Sequence, residues 1–257
     1  MNDVATVRFV QPTQTAFVRW VNRQGRIQKR LARGELRLDA EELINEARRR
    51  AGCTDFGDDS YREPCEEFLA GLRDDVSLTP FGHQLARAHV VDWLEQRLSI
   101  QREVNRHPAI LDLDVPRPLV IVGPPRTGTT LLNHLLAQDP AARPLRTWEA
   151  MWPVSPTRRV DVRRWLGGIV VWFANRWVMP DWNRMHPFTR EGPEECAFLL
   201  AHTFINPVLM PVRSYREWFR RQPDETFDRG YAGYRRALQV LQWQQPAAGP
   251  WVRKSPG

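Results

Sequence analysis

The chain reads as an α/β protein, with a helical region over residues 1–115 and an incomplete three-layer α/β/α core over residues 116–257. Three observations predict this. Apolar residues recur at three- and four-residue spacing through much of the first 115 positions, the period of helices that each bury one face. At Pro118 the pattern changes to a β-branched run, a glycine-bounded loop and an apolar helix. Near the end, an amphipathic helical pattern gives way to Trp251-Val252-Arg253-Lys254, a second short strand followed by a turn. A sheet of only two parallel strands would keep an unpaired edge and an exposed face, so the core reads as incomplete.

In the first region, helices are expected over residues 14–33 and 39–50, with Asp39 as an N-cap. Residues 51–59, AGCTDFGDD, form a polar connection, and a helix is expected from Tyr61 to Arg73. Thr79-Pro80 is an N-cap and first-turn pair that opens a long helix to about Asn105, with Leu85, Val90, Trp93, Leu94 and Leu98 along one stripe. His107-Pro108 ends it, and Pro116 and Pro118 separate it from the strand that follows. His83, His89 and His107 read as surface or packing residues rather than metal ligands.

The second region opens on Leu119-Val120-Ile121-Val122, expected as a buried strand, followed by Gly123-Pro124-Pro125-Arg126-Thr127-Gly128-Thr129-Thr130 and an apolar helix over 131–137. Strand, glycine-bounded loop and helix together make an anion cradle. Backbone N–H groups of the loop and first helical turn converge where the helix dipole favours negative charge. The spacing Gly123-x4-Gly128 fits the first half of a P-loop, but an NTPase would carry Lys where Thr129 stands, to reach the β- and γ-phosphates. Here the cation is Arg126, inside the loop, and a guanidinium can fork two oxygens of a phosphate or sulfonate. A P-loop kinase or NTPase and a non-catalytic nucleotide-binding module are alternatives at this point.

PRTGTTLL resembles the 5′-phosphosulfate loop of the sulfotransferases that use 3′-phosphoadenosine 5′-phosphosulfate (PAPS), in the Arg form of the bacterial and tyrosylprotein members. The resemblance extends loosely upstream, through the TDFGD turn and the helix ending in His107-Pro108. It implies a P-loop-like sulfotransferase core in which Pro125, Arg126, Thr127, Gly128, Thr129 and Thr130 hold the donor. Transfer to a hydroxyl needs a base for the acceptor proton and cations for charge on the leaving phosphate. Glu149, in the Trp148-Glu149 pair after the cradle helix, matches the position of the base in the tyrosylprotein enzymes. Its bland alternative is a helix-start carboxylate near the positive dipole end. Lys254, in Lys254-Ser255-Pro256, matches the lysine that supports the transferring group. The cytosolic K-x-H pattern would put its histidine at Pro256, which favours Glu149 as the base. Arg126, Glu149 and Lys254 are therefore the expected catalytic residues. His186, in a polar segment that also resembles the family, is a pocket candidate, and His134 is expected to pack against the sheet.

Trp165–Met179 is expected as a buried or pocket-lining helix, with Trp148, Trp152, Trp172, Trp177 and Trp182 serving an apolar acceptor site or the core. Helices are expected from Glu194 to before Pro207 and over 228–245, the latter with Tyr231, Tyr234, Leu238 and Leu241 inward. The elements that bind the donor's 3′-phosphate in the family have no counterpart in the sequence, which reads as a C-terminally truncated fragment of a sulfotransferase.

Composition narrows the partners. The formal charge is +7, carried almost wholly by Arg, with lysine only at Lys29 and Lys254. These arginines are interspersed with acids, as in Glu46-Ala47-Arg48-Arg49-Arg50, which is the pattern of a solvated surface and not of a nucleic-acid stripe. Cys53, Cys65 and Cys196 are too far apart for a zinc site or a disulfide framework, and fit a reducing cytoplasm. There is no apolar run long enough to span a bilayer. The expected chemistry uses PAPS and no metal, and the acceptor is a hydroxyl on a small molecule, a glycan or a lipid. A homodimer is among the assemblies open to the chain.

Overall fold

A computed structural model describes residues 14–31, 38–115, 118–124, 127–157, 160–181, 186–206, 212–247 and 249–256. Four helices come first: α1 (Ala16–Leu31), α2 (Ala40–Ala51), α3 (Arg62–Asp74) and α4 (Pro80–Arg106). Their ends follow local chemistry. Asp39 Oδ1 accepts from Glu42 N at 2.9 Å to start α2, and Gly52, at φ 63°, closes it. Thr79 Oγ1 accepts from Gly82 N at 3.1 Å to start α4, where Pro80 loses no intrahelical bond. A 3₁₀ turn (Pro108–Asp112) then leads to β1 (Leu119–Gly123).

The core that follows is a parallel sheet wrapped by helices. After β1 come α5 (Thr129–Leu136), the two-residue β2 (Arg143–Pro144), α6 (Thr147–Met151) and α7 (Arg163–Phe173), which runs into a π-turn at Ala174–Val178. Then α8 (Cys196–Leu200), α9 (Arg213–Phe219), α10 (Asp224–Gln244) and β3 (Trp251–Pro256) complete the described elements. Strand order is β1-β3-β2, all parallel, with Val120 opposite Arg253 and Pro144 opposite Val252. The strand last in sequence is thus the central one. Helix α9 and strand β2 are additions to the sequence expectation: both are too short to carry a periodic signal.

Two apolar clusters hold this together, and α4 enters both. Its middle turns (Val90, Val91, Leu94, Leu98) pack with Leu43, Ile44, Tyr61, Phe68, Leu69, Phe204, Tyr215 and Trp218. Its last turns (Ile100, Val104) pack with Ile110, Leu145, Leu199, Tyr234, Leu238, Leu241 and Trp251 beside the sheet. One long helix therefore braces the sheet against the helical layer.

Three expectations differ from the structure. β1 is not a buried strand: Ile121 is buried, but Leu119, Val120 and Val122 are 48%, 48% and 67% exposed, and among the described residues β1 is an edge strand paired with β3. Helix α7 is not buried either, since a narrow face at Arg163, Gly167 and Val171 turns inward while Trp165 and Trp172 face outward. Tyr231 of α10 is also outward, whereas Tyr234, Leu238 and Leu241 are buried as expected.

Candidate active site

The two glycines of the loop have separate steric causes. Gly128 sits at φ 89°, a left-handed conformation costly for any residue with a side chain, and it caps the start of α5. A Cβ on Gly123 would lie 2.9 Å from Thr129 Cγ2 and 3.2 Å from Thr127 Oγ1, so any larger residue there would have to displace the loop threonines. Thr127 Oγ1 donates to Pro124 O at 2.8 Å, which tightens the turn. The backbone amides at the start of α5 are thereby presented at the carboxyl ends of the strands, where open α/β sheets bind ligands. Pro125 and Arg126 lie outside the described residues.

Lys254 reaches this loop from the other end of the sequence. Its Nζ donates to Thr130 Oγ1 in the first turn of α5, at 3.0 Å. It also donates to Glu195 Oε1, and the backbones of Glu195 and Lys254 form a parallel bridge beyond β2. Glu195 Oε1 is 3.7 Å from His186 Nδ1, and His186 Nε2 is 3.0 Å from Glu194 Oε1. Glu194 is buried, and its Oε1 also accepts from Glu195 N at 2.9 Å while Thr147 Oγ1 lies 3.5 Å from its Oε2. The result is a continuous polar line: Glu194, His186, Glu195, Lys254, Thr130.

Electrostatics along this line are coupled. The hydrogen bond that His186 donates to Glu194, against the cost of burial, raises the His186 pKa above its ordinary value, with Glu195 adding to the effect. His134, on α5, is shifted the other way, by burial first and then by His186 and Lys254. Its Nε2 is buried without a hydrogen-bond partner. The expected packing of His134 against the sheet is thus half met: the ring is partly buried, at the rim of this cluster.

Glu149 lies in a different setting. Its carboxylate is 1% exposed and bidentate on Arg143, with Nη1 2.8 Å from Oε2 and Nη2 bonded to Oε1. Oε2 also accepts from Arg146 N at 3.0 Å, the reach-back of an N3 carboxylate in a capping box. Arg143 in turn lies 4.6 Å above the Trp251 ring. Among the described residues, Glu149 bonds neither Thr130 nor Lys254. Among the described residues, the structure therefore joins Lys254 to the first turn after the loop and pairs Glu149 with Arg143. Sequence reasoning missed Glu194 and Glu195 as site residues; the signal was the Gly192-Pro193-Glu194-Glu195 stretch beside His186.

Comparisons with known proteins identify the family and the fold. The family model described as the sulfotransferase family matches residues 118–256, from the strand before the loop to the end of β3. The chain belongs to the sulfotransferase family. Two solved sulfotransferases share its fold. The crystal structure of STF9 from Mycobacterium avium is 30% identical, with a TM-score of 0.71 over 88% of this chain and 58% of that one. The crystal structure of STF1 from Mycobacterium tuberculosis H37Rv is 29% identical, with a TM-score of 0.68 over 84% of this chain and 60% of that one. The chain thus spans about three fifths of the length of these two sulfotransferases. No curated protein matches it. Among the described residues of this sulfotransferase-family chain, no helix is long and apolar enough to cross a membrane.

Proposed function

We propose that this chain carries the donor-binding half of a PAPS-dependent sulfotransferase site that acts on an acceptor hydroxyl. The observation that carries this reading is the Lys254–Thr130 contact at 3.0 Å, which sets an ammonium group against the first turn of the cradle helix. A P-loop NTPase takes its lysine from the residue after the second loop glycine. Here that residue is Thr129, and the lysine arrives instead from β3.

The residues fit an anionic donor. Gly128 opens the loop so that the amides of residues 128–130 are presented together, Thr130 offers a hydroxyl, and Lys254 offers a cation that is nearly buried and thus weakly screened. By resemblance Pro125, Arg126, Thr127 and Thr129 complete the holding set. When bound, PAPS supplies the sulfonate group that is transferred. Lys254 would stabilise negative charge as it develops on the departing phosphate, and Arg126 would orient the group by forked hydrogen bonds. No metal is needed for this role, because these donors already meet the phosphate charge. Glu149, the base suggested by the resemblance, would have to release Arg143 to act, so the reading rests on the loop and Lys254. The setting we propose is the reducing cytoplasm, with Cys53, Cys65 and Cys196 as free thiols.

The test is calorimetric titration of the chain with adenosine 3′,5′-bisphosphate, with ATP plus Mg²⁺ as the comparison. Binding of the bisphosphate, lost in Lys254→Ala, is the expected outcome. Preferential Mg²⁺-dependent ATP binding would replace this reading with an NTPase.

A further inference from the structure

The polar line beside the loop contains a carboxylate that the sulfotransferase reading has not used. Glu195 touches Lys254, which touches Thr130, so Glu195 is one side chain removed from the cradle. It retains 15% side-chain exposure, against 1% for Glu149, and its position is fixed by backbone as well as side chain through the parallel bridge to Lys254. On its other side stands His186, itself anchored by Glu194.

This arrangement answers two needs of the same site. A lysine that is 7% exposed requires a counter-ion whenever no anion occupies the loop, because a buried unpaired charge is costly. A hydroxyl attacking at the loop requires a nearby acceptor for its proton, within hydrogen-bond reach. We infer that Glu195 does both: it is the resting counter-ion of Lys254, and it becomes the catalytic base once a bound sulfonate claims that lysine. This inference rests on the proposed function above. In the transfer, the acceptor oxygen bonds to sulfur and its proton passes to the Glu195 carboxylate. The sulfur–oxygen bond to the 5′-phosphate breaks, and its electron pair leaves on adenosine 3′,5′-bisphosphate. His186, facing Glu195 with Glu194 behind it and His134 nearby on α5, holds the carboxylate in place and is a positioning residue.

The experiment compares the full chain with Glu195→Gln, Glu195→Asp and Glu149→Gln, each first checked for a cooperative thermal transition. Adenosine 3′,5′-bisphosphate is titrated calorimetrically, and turnover is read with sulfur-labelled PAPS and a pool of phenol, sterol and sugar hydroxyls. Removing the competing carboxylate should tighten nucleotide binding in Glu195→Gln by about threefold, the scale of one partly screened ion pair. The same variant should lower turnover by about 100-fold, the scale of a lost general base. Glu195→Asp should recover part of that loss and move the acid limb of the pH profile. Unchanged or weaker nucleotide binding in a folded Glu195→Gln would overturn the counter-ion role. Turnover within threefold of the unmodified chain, with loss in a folded Glu149→Gln, would return the base to Glu149. If the unmodified chain binds the bisphosphate but sulfonates no acceptor in the pool, the base role of Glu195 is overturned and the affinity arm decides the counter-ion role. If the unmodified chain binds no bisphosphate while folded, the sulfotransferase reading itself fails, a result distinct from either of these.

Discussion

Glu149 with Arg143 and Glu195 with Lys254 are both carboxylate–cation pairs in the region that the sulfotransferase family covers, and their surroundings differ in every other respect. The first is sealed: both carboxylate oxygens are bonded, a backbone amide adds a third contact, and the arginine lies over Trp251. The second is open at one end, with its lysine on β3 donating to the cradle helix and its glutamate beside a histidine. A forked guanidinium in a dry pocket fixes geometry and gives up little when anything else binds. An ammonium on a flexible stem can change partners. The difference teaches that two carboxylates in one region can differ in whether their partners are free to be exchanged.

This comparison can be broken experimentally. The largest effect is expected from Arg143→Ala, which strands Glu149 as an uncompensated buried charge and should cost about 3–5 kcal/mol in urea unfolding. A cost below about 1 kcal/mol would show that the pair is not sealed. Glu195→Gln should cost less, about 1–2 kcal/mol, the scale of one weakened charge-assisted hydrogen bond. A reversed order would contradict the division of roles. Gly128→Ala should cost about 1–2 kcal/mol by forcing a side chain into the left-handed region, and should weaken bisphosphate binding with it. Away from the site, Thr79→Ala should remove about 1 kcal/mol by uncapping α4, with no change in nucleotide binding. Loss of binding there would mean that α4 transmits strain to the loop.

The smallest effect is a pH dependence. The folded pKa of His186 is raised above its unfolded value, chiefly by Glu194. Its contribution to stability is therefore fully present below the unfolded value of about 6.5, and is lost as the pH rises through the folded one. The stability difference between the unmodified chain and His186→Gln should be greatest below about pH 6 and should shrink in alkaline buffer. A difference that grows with pH would place the imidazole in a neutral, desolvated setting instead.

Much of the fold was legible in the sequence, because it is written in local signals. Asp39, Thr79-Pro80 and His107-Pro108 mark helix ends through hydrogen bonds and φ restraints that reach only three or four residues. Gly123 and Gly128 mark the loop for equally local steric reasons. The faces of α7 and β1 were not legible. Apolar content makes an element suited to burial, but only the neighbours decide whether it is covered, and Trp165, Trp172 and Val122 are not. Short pieces such as β2 and α9 escaped for want of a period.

The sequence by itself determined that a glycine-bounded loop lies between a strand and a helix, and that residues 118–256 belong to the sulfotransferase family. It also singled out Lys254, one of two lysines, as a site residue. Only the tertiary structure decided which acid each cation meets. Arg143 takes Glu149 across six positions, while Lys254 takes Thr130 and Glu195 across 124 and 59. Such long-range pairings are set by the order of strands in the sheet, and no local rule of sequence encodes that order.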